Sequence, residues 1–373
     1  MPTRLASDLL AWYAKNQRQL PWRRTRDPYA IWVSEVMLQQ TRVETVSPYY
    51  RRWLRRFPTV ERLARARAQS VLTAWEGLGY YRRALQLRRT ARAVFRDYGG
   101  KLPRSVEELR RLPGIGPYTA SAVAAFAFGA DEIALDGNLR RVFARLIDLP
   151  VDPRTPDGAA RLLRYARRHL PSGRASAFNQ AMMDLGAHVC LPRHPQCQIC
   201  PLRWTCRARI RGVQEARPVR AQKSPAPQRV ATAGVLRRRG RVLIGRRPEG
   251  GLLGGLWEFP GGKCWKRETA GVCLRRELRE ELGVEVEVGA SLGIFQHSYT
   301  HFHVTMHAFE CRIRRGRPRA YEHTDLRWVI PSRLAAYPMG RVARRIADVV
   351  ARKHGALRRR SRRKRQDGPN FSP

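Results

Sequence analysis

Three sets of side chains in this sequence have the types and spacings of working chemistry. Between Cys190 and Cys206, four of the seven cysteines follow the spacing C-x6-C-x2-C-x5-C. Thiolates gathered so closely converge readily on one metal centre, and the clustering argues for metal binding over disulfides. Only Cys197 and Cys200 form a close pair, whereas a structural zinc usually takes two, so the spacing alone leaves iron–sulfur and zinc both open. Farther along, Glu277, Glu280 and Glu281 stand at i, i+3 and i+4. On a helix these carboxylates face one way, an oxygen-rich arrangement that suits Mg²⁺ or Mn²⁺ beside a diphosphate. The third set is a pair of separate acids, Glu35 and Asp136. Glu35 follows Ile31 and Trp32 by one helical turn and precedes Leu38 by one, on a largely apolar face. Burial there would favour the protonated form and equip the carboxyl to donate a proton near neutral pH, although an Arg-paired acid or one at the edge of that face has the same local sequence. Asp136 opens the segment DGNLRRVFARL, where nearby helix N-termini should keep it ionised and Asn138 can orient it.

Helices must carry both acids. Asp27 and Pro28 form a cap and first-turn signal, which predicts a helix from there towards the mid-forties. Leu112 to Asp136 reads helix, tight turn, helix, acid. Pro113, Gly114, Gly116 and Pro117 separate helical compositions at Ser105 to Arg111 and Tyr118 to Phe128. Such a hairpin can aim backbone N–H groups at an anion such as a DNA phosphate, although an ordinary helix connection has the same composition. Gly77 and Gly79 break another helical stretch before Tyr80 and Tyr81. Aromatics beside Arg at a helix-initiating loop suit insertion into a base stack, and equally a core. At the N-terminus, SDLLAWYAKN reads as an amphipathic helix capped by Ser7. From Arg207 to Arg229 apolar periodicity is lost and the composition is that of a linker. Beyond it VATAGVLRRRGRVLIGRRP predicts a strand hairpin, FQHSYTHFHVTMHAF alternates as a strand, and RWVIPSRLAAYPM with RVARRIADVVARK supplies a last strand and a closing helix.

With 373 residues the chain is long for one core and divides more naturally into two domains. Its 73 basic residues outnumber 30 acidic ones, giving a formal charge of +43. The partner of such a chain is a polyanion, and binding should weaken steeply with salt. Only seven of the basic residues are Lys, so the charge is nearly all Arg. No run of eighteen apolar residues occurs, which argues against a spanning helix and a membrane partner. The early amphipathic helix leaves no room for a signal peptide, so the cytoplasm is the expected compartment. After Leu357 the tail RRRSRRKRQDGPNFSP is expected to be disordered and to add sequence-independent DNA affinity.

The segments LPW and SEVMLQQT, GLGYYRR, LPGIGPYT through ALDGN, and the four spaced cysteines together resemble the MutY family of adenine DNA glycosylases, in the helix-hairpin-helix superfamily of base-excision repair. The resemblance implies a multidomain protein. Residues 1–206 would form an all-α helix-hairpin-helix glycosylase domain with a [4Fe–4S] loop at 190–206, held by Cys190, Cys197, Cys200 and Cys206. A linker at 207–228, an α+β Nudix-like domain at 229–355 that reads 8-oxoguanine, and the basic tail at 356–373 would follow. Glu35 becomes the general acid and Asp136 the stabiliser of an oxocarbenium-like or covalent sugar intermediate, with Tyr118 and Asn138 beside them. Gln40, Thr41, Gly114 and Gly116 are assigned to DNA. One tyrosine of Tyr80 and Tyr81 enters the base stack, and Tyr81 is favoured. Tyr299, Thr300 and His301 align with the family's lesion-sensing Phe-Ser-His and keep a ring and a hydroxyl. The implied partner is double-stranded DNA with A:8-oxoG or A:G mispairs, bound by a monomer in the bacterial cytoplasm, on the nucleoid.

Two features refine this expectation. Tyr118 stands where related lyases carry a Schiff-base Lys, and Lys15 and Lys101 are the only lysines in the first 222 residues. A monofunctional enzyme is expected over an endonuclease III-like glycosylase/lyase, and the presence of both acids argues against a non-catalytic lesion-binding protein. The second feature is GGKCWKRETAGVCLRRELREELGV, which satisfies the full Nudix box from Gly262 to Val284, including Glu268 and Arg276. MutY relatives usually have a degenerate box. Its intact form raises a further expectation, nucleoside triphosphate hydrolysis with Mg²⁺ or Mn²⁺ on Glu277, Glu280 and Glu281, beside the plainer reading of solvated surface glutamates.

Overall fold

The computed structural model describes residues 2–220 and 225–366, with side chains as far as residue 355. Contacts divide the chain into two units, Met1–Arg65 with Gln86–Lys223, and Ala66–Leu85 with Ser224–Pro373.

The first unit is helical among its described residues. In chain order the helices are α1 (Arg4–Asn16), α2 (Pro28–Leu38), α3 (Val43–Arg56), α4 (Val60–Arg65), α5 (Ala68–Trp75), α6 (Arg82–Asp97), α7 (Val106–Arg111), α8 (Pro117–Phe128), α9 (Gly137–Leu146), α10 (Pro156–His169), α11 (Ala175–His188) and α12 (Arg207–Ile210). Of these, α5 and the first turn of α6 belong to the second unit. Leu9, Leu139, Phe143, Leu162, Phe178, Met182 and Leu185 are fully buried in one core, where α9 packs on α11 and α11 on α1. Each such side chain contributes about 1.5–3 kcal/mol on burial.

Three local expectations are corrected here. The cap of α1 is Thr3, whose hydroxyl accepts from Ala6 N, so Ser7 lies inside the first turn. The helix that begins at Pro28 stops at Leu38, because Gln40 takes a left-handed φ of 57° and α3 restarts at Val43. The expected linker carries structure as far as Arg217. Ala208 of α12 is fully buried, Arg145 Nε donates to the carbonyls of Gln214 (2.9 Å) and Arg217 (3.0 Å), and Arg211 and Arg217 both pair with Asp148. Residues 221–224 of that linker lie outside the described residues.

The second unit is a six-stranded mixed sheet with helices. Its strands are β1 (Gln228–Arg238), β2 (Arg241–Arg246), β3 (Trp257–Glu258), β4 (Glu285–Ser298), β5 (His303–Arg315) and β6 (Asp325–Val329), with α13 (Ala270–Leu282) and α14 (Arg341–Gln366). The order is β3-β2-β1-β5-β4, β6 pairs with β2, and the β1–β5 pairing is parallel while the others are antiparallel. Alternation along β1 and β2 feeds two cores. Leu236 and Leu243 meet Leu274, Leu278 and Leu282 of α13, whereas Val235, Val242 and Ile244 meet Ile346 and Val350 of α14. Segment Ala66–Leu85 joins this unit through Trp257 Nε1 to Gln69 Oε1 (2.9 Å) and Arg344 Nε to Glu76 Oε1 (2.7 Å). The backbone of α14 stays helical to Gln366, through most of the tail expected to be disordered, since Arg, Lys, Leu and Ala are strong helix formers. Residues 367–373 lie outside the described residues. Among the described residues no helix is long and apolar enough to cross a membrane.

Candidate active site

Asp27 opens α2 by accepting from Tyr29 N (3.1 Å) and Ala30 N (3.3 Å), and Pro28 follows as a pre-organised first residue. Every residue from Tyr29 to Met37 is buried, and α2 packs against α8. Glu35 is therefore only 4 % exposed. Tyr118, on the first turn of α8, donates its hydroxyl to Glu35 Oε2. Burial pushes the Glu35 carboxyl up to about 7; the Tyr118 hydrogen bond opposes, Asp136 adds to the rise and Arg23 offsets it. A carboxyl so placed holds a transferable proton at neutral pH.

Asp136 is the N-cap of α9. Its Oδ1 accepts from Leu139 N (2.7 Å) and its Oδ2 from Asn138 Nδ2 (3.1 Å). Burial raises the carboxyl above its ordinary value, while Leu139, Asn138 and the Arg141 charge pull the other way. Asn138 is held in turn by Arg141 Nη2 (2.9 Å), and Arg141 Nε donates to Cys190 O (2.8 Å). Gly186 of α11 permits this approach, because a Cβ there would lie 2.7 Å from Asn138 Cβ. Glu35, Tyr118, Asp136 and Asn138 all line one cavity of about 430 Å³.

The same cavity exposes residues that the sequence reading missed. Arg23, Arg18 and Gln180 line it, and both arginines pair with Asp184, at 2.7 Å and 2.5 Å. Burial alone would raise Asp184, yet Arg23 and Arg18 hold its carboxyl below the usual range. The available signal was an Asp inside the otherwise apolar stretch FNQAMMDLG, which demands a cationic partner. Tyr13 Oη donates to Gln180 Oε1 (2.9 Å) and fixes that amide at the wall.

The hairpin between α7 and α8 is present, with Ser105 capping α7 and Gly116 preceding α8. Gly114 adopts φ 84°, and a Cβ there would fall 2.0 Å from Gln86 Cγ, so only glycine fits. Thr90 donates its hydroxyl to Pro113 O, while the space around Gly116 is open. Gln40 is exposed and Thr41 lines the cavity.

In the second unit the tyrosine pair is resolved against the favoured residue. Tyr81 is buried, donates to Met339 O (3.1 Å) and accepts from Gly77 N (3.3 Å), so it cannot enter a base stack. Tyr80 is 45 % exposed with a left-handed φ of 48°, and Arg83 lies 5.2 Å from its ring centroid. Its hydroxyl meets Thr300 Oγ1 at 2.5 Å. Tyr299 to His301 do not continue a strand as expected but form the turn between β4 and β5, closed by Tyr299 N to Phe302 O (2.8 Å). Tyr299 stacks on Phe302, and Thr300 and His301 face solvent.

Cys190 follows α11, Cys197 opens a 3₁₀ turn and Cys206 caps α12. Arg145 Nη1 reaches Cys190 Sγ at 3.3 Å. Burial pushes Cys200 up to about 12; a hydrogen bond from the Leu202 backbone opposes this, and negative charge on Cys190, Cys206 and Cys197 would add to the rise. Four cysteine sulfurs within one short segment, with the Arg145 guanidinium beside Cys190 Sγ, are a donor set that fits a multi-iron cluster.

On α13, capped by Thr269, the glutamates are treated unequally. Arg276 pairs with Glu268 (2.9 Å), Glu277 (2.8 Å) and Glu280 (3.0 Å). Glu281 is buried and accepts from Gly261 N (2.8 Å). Its carboxyl is pushed up to about 8 by burial and then by the charges of Glu258 and Glu277. Glu277 is raised for the same first reason, and a Cβ at Gly262 would fall 2.0 Å from its Oε2. Crowded carboxylates of this kind are relieved by a divalent cation, and Glu277, Glu280 and Glu281 are the residues that would hold one.

Residues 33–165 match the family model of the HhH-GPD superfamily base excision DNA repair protein, and residues 232–349 match the NUDIX domain. The chain is 34 % identical to the human adenine DNA glycosylase over 88 % of its own length and 70 % of that protein. It is 44 % identical to the adenine DNA glycosylase of Mycolicibacterium smegmatis over 53 % of this chain and 68 % of that one. Among solved structures, a thermostable thymine-DNA glycosylase superposes with a TM-score of 0.52 at 31 % identity, covering 56 % of this chain and 95 % of that chain.

Proposed function

This chain belongs to the adenine DNA glycosylase (MutY) family, a DNA-binding enzyme of base-excision repair, and from that premise we propose that it removes adenine mispaired with 8-oxoguanine or guanine. The observation that carries the proposal is the Tyr118–Glu35 hydrogen bond in a cavity that Asp136 also lines. The adenine is flipped into that cavity, which spares the enzyme from working inside the stack. Glu35 gives its proton to a ring nitrogen of the base. The glycosidic C–N bond breaks, its electron pair leaves with the adenine, and the positive charge left on the sugar faces the Asp136 carboxylate. Water adds its oxygen to the sugar carbon and returns a proton to Glu35. Asn138 and Arg141 keep Asp136 aimed, and Arg18, Arg23 and Gln180 supply polar groups for the edge of the base.

In the second unit Tyr80 enters the base stack while Thr300, beside it, reads the base opposite the adenine, with Tyr299 and His301 flanking. Their exposure and the Tyr80–Thr300 contact support this reading. Cys190, Cys197, Cys200 and Cys206 would hold a [4Fe–4S] cluster, which cross-links their loop when bound. Single-turnover adenine release from an A:8-oxoG duplex tests the assignment, comparing wild type with Glu35→Gln and Asp136→Asn. Release untouched by either substitution would sink it. Because Tyr118 holds Glu35 where a lyase would present an amine, the enzyme is monofunctional; efficient borohydride trapping on the product DNA would refute that.

The crowded glutamates of α13 favour a second activity, hydrolysis of an oxidised nucleoside triphosphate with Mg²⁺ or Mn²⁺ on Glu277, Glu280 and Glu281. The full chain with Mg²⁺ and 8-oxo-dGTP is the assay, and turnover no greater than that of Glu280→Gln removes this reading.

A further inference from the structure

Cys264 and Cys273 lie on opposite sides of Glu268 in the sequence, outside the iron–sulfur set. In the fold the two Sγ atoms and a carboxylate oxygen of Glu268 all lie within 4.8 Å of one another. Cys273, on α13, is fully buried, and Glu268 has only 8 % of its side chain exposed. Each of the three residues is anchored separately. Cys264 N donates to Val230 O of β1 (3.0 Å). Cys273 Sγ sits 3.4 Å from Thr232 Oγ1, and Trp265 N donates to Glu268 Oε2 (2.9 Å).

We infer that Cys264, Cys273 and Glu268 form a binding site for Zn²⁺ or a cation of like softness, separate from the cysteine loop at 190–206 and from the α13 glutamates. Two thiolates and one carboxylate select zinc over magnesium, because sulfur ligands suit borderline-soft ions and hard Mg²⁺ takes oxygen. Atoms already within 4.8 Å of one another need only side-chain adjustment to reach the roughly 3.8 Å between tetrahedral zinc ligands. Glu268 already receives Arg276 Nε (3.0 Å) on Oε1, and Arg276 Nη2 (2.9 Å) with Trp265 N on Oε2. A carboxylate has about four lone-pair sites, so one on Oε1 remains for the cation. Arg276 then acts as the outer partner that orients the ligating carboxylate, the arrangement usual around metal-bound acids. Three protein ligands leave the fourth position to water.

The test uses the full chain with its iron–sulfur chromophore intact, dialysed to equilibrium against Zn²⁺ in the presence of a reductant and a competing chelator. One zinc per chain is expected, with X-ray absorption showing two sulfur neighbours at about 2.3 Å. Cys264→Ser and Glu268→Gln should each weaken uptake at least tenfold without changing the visible absorbance of the cluster. Since Cys273 is buried and its replacement can unfold the unit, the partly exposed Cys264 carries the decision. Zinc uptake equal in wild type and Cys264→Ser, or a reduced chain that takes up none, overturns the site.

Discussion

Glu35 in the helical unit and Glu281 in the mixed-sheet unit are both buried acids whose carboxyls are pushed up, to about 7 and about 8, and burial is the first cause in each. Their neighbours differ. Glu35 receives one neutral hydroxyl, has one acid near it and is opposed by one arginine. Glu281 receives a backbone N–H and faces three acids, Glu258, Glu277 and Glu322. Desolvation alone therefore does not decide what a buried acid does. Next to an open cavity and a neutral donor, the proposed role is proton delivery; among like charges, the proposed role is to hold a cation.

The contrast is tested most severely at Glu35. Replacement by Gln should lower single-turnover adenine release by about 10²–10⁴-fold, the usual worth of a positioned general acid, while Glu281→Gln leaves release unchanged. Equal losses in the two variants would erase the distinction. Asp136→Asn should cost about 10²–10³-fold, the range seen when a preorganised electrostatic partner is removed, with duplex affinity retained in a gel-shift assay. A smaller effect is expected from Tyr118→Phe. The wild-type rate should fall as pH rises through about 7, because Glu35 must be protonated to act. The Tyr118 hydroxyl stabilises the charged form, so its loss raises the Glu35 carboxyl further and moves the alkaline limb to higher pH; a downward move contradicts the geometry. Least of all is an effect on stability. The folded value of Glu35 lies above its ordinary 4.5, so its contribution is whole below pH 4.5 and is lost as pH rises through about 7. Gln does not ionise, and Glu35→Gln should gain a few degrees of melting temperature over wild type between pH 5 and pH 8.

Much of the candidate cavity was legible because its signals are local. Glu35 has its apolar neighbours one turn away, and Asp136 stands where a helix must be capped. The cysteine spacing and the glutamates of α13 are likewise read within a few residues. What escaped depended on distant partners. Tyr80 and Tyr81 are indistinguishable until Met339 accepts a hydrogen bond from one of them. Asp184 finds Arg18 and Arg23 more than 160 residues away. The break after Leu38 has neither glycine nor proline to announce it, only a left-handed Gln40. For Asp136 the sequence reveals the helix terminus but not the depth of burial, which raises its carboxyl. In the tail, charge argued for disorder while helix propensity prevailed as far as Gln366.

Asp136 serves α9 twice, as the acid facing the cavity and as the cap that starts the helix. That overlap constrains how the gene can drift. Asn still caps, so a lineage that acquires it loses catalysis and keeps its fold. Ala forfeits about 1 kcal/mol at the helix start as well. Asn would thus leave a durable impostor that occupies mispairs without repairing them, whereas Ala leaves a less stable chain, more exposed to cellular proteolysis.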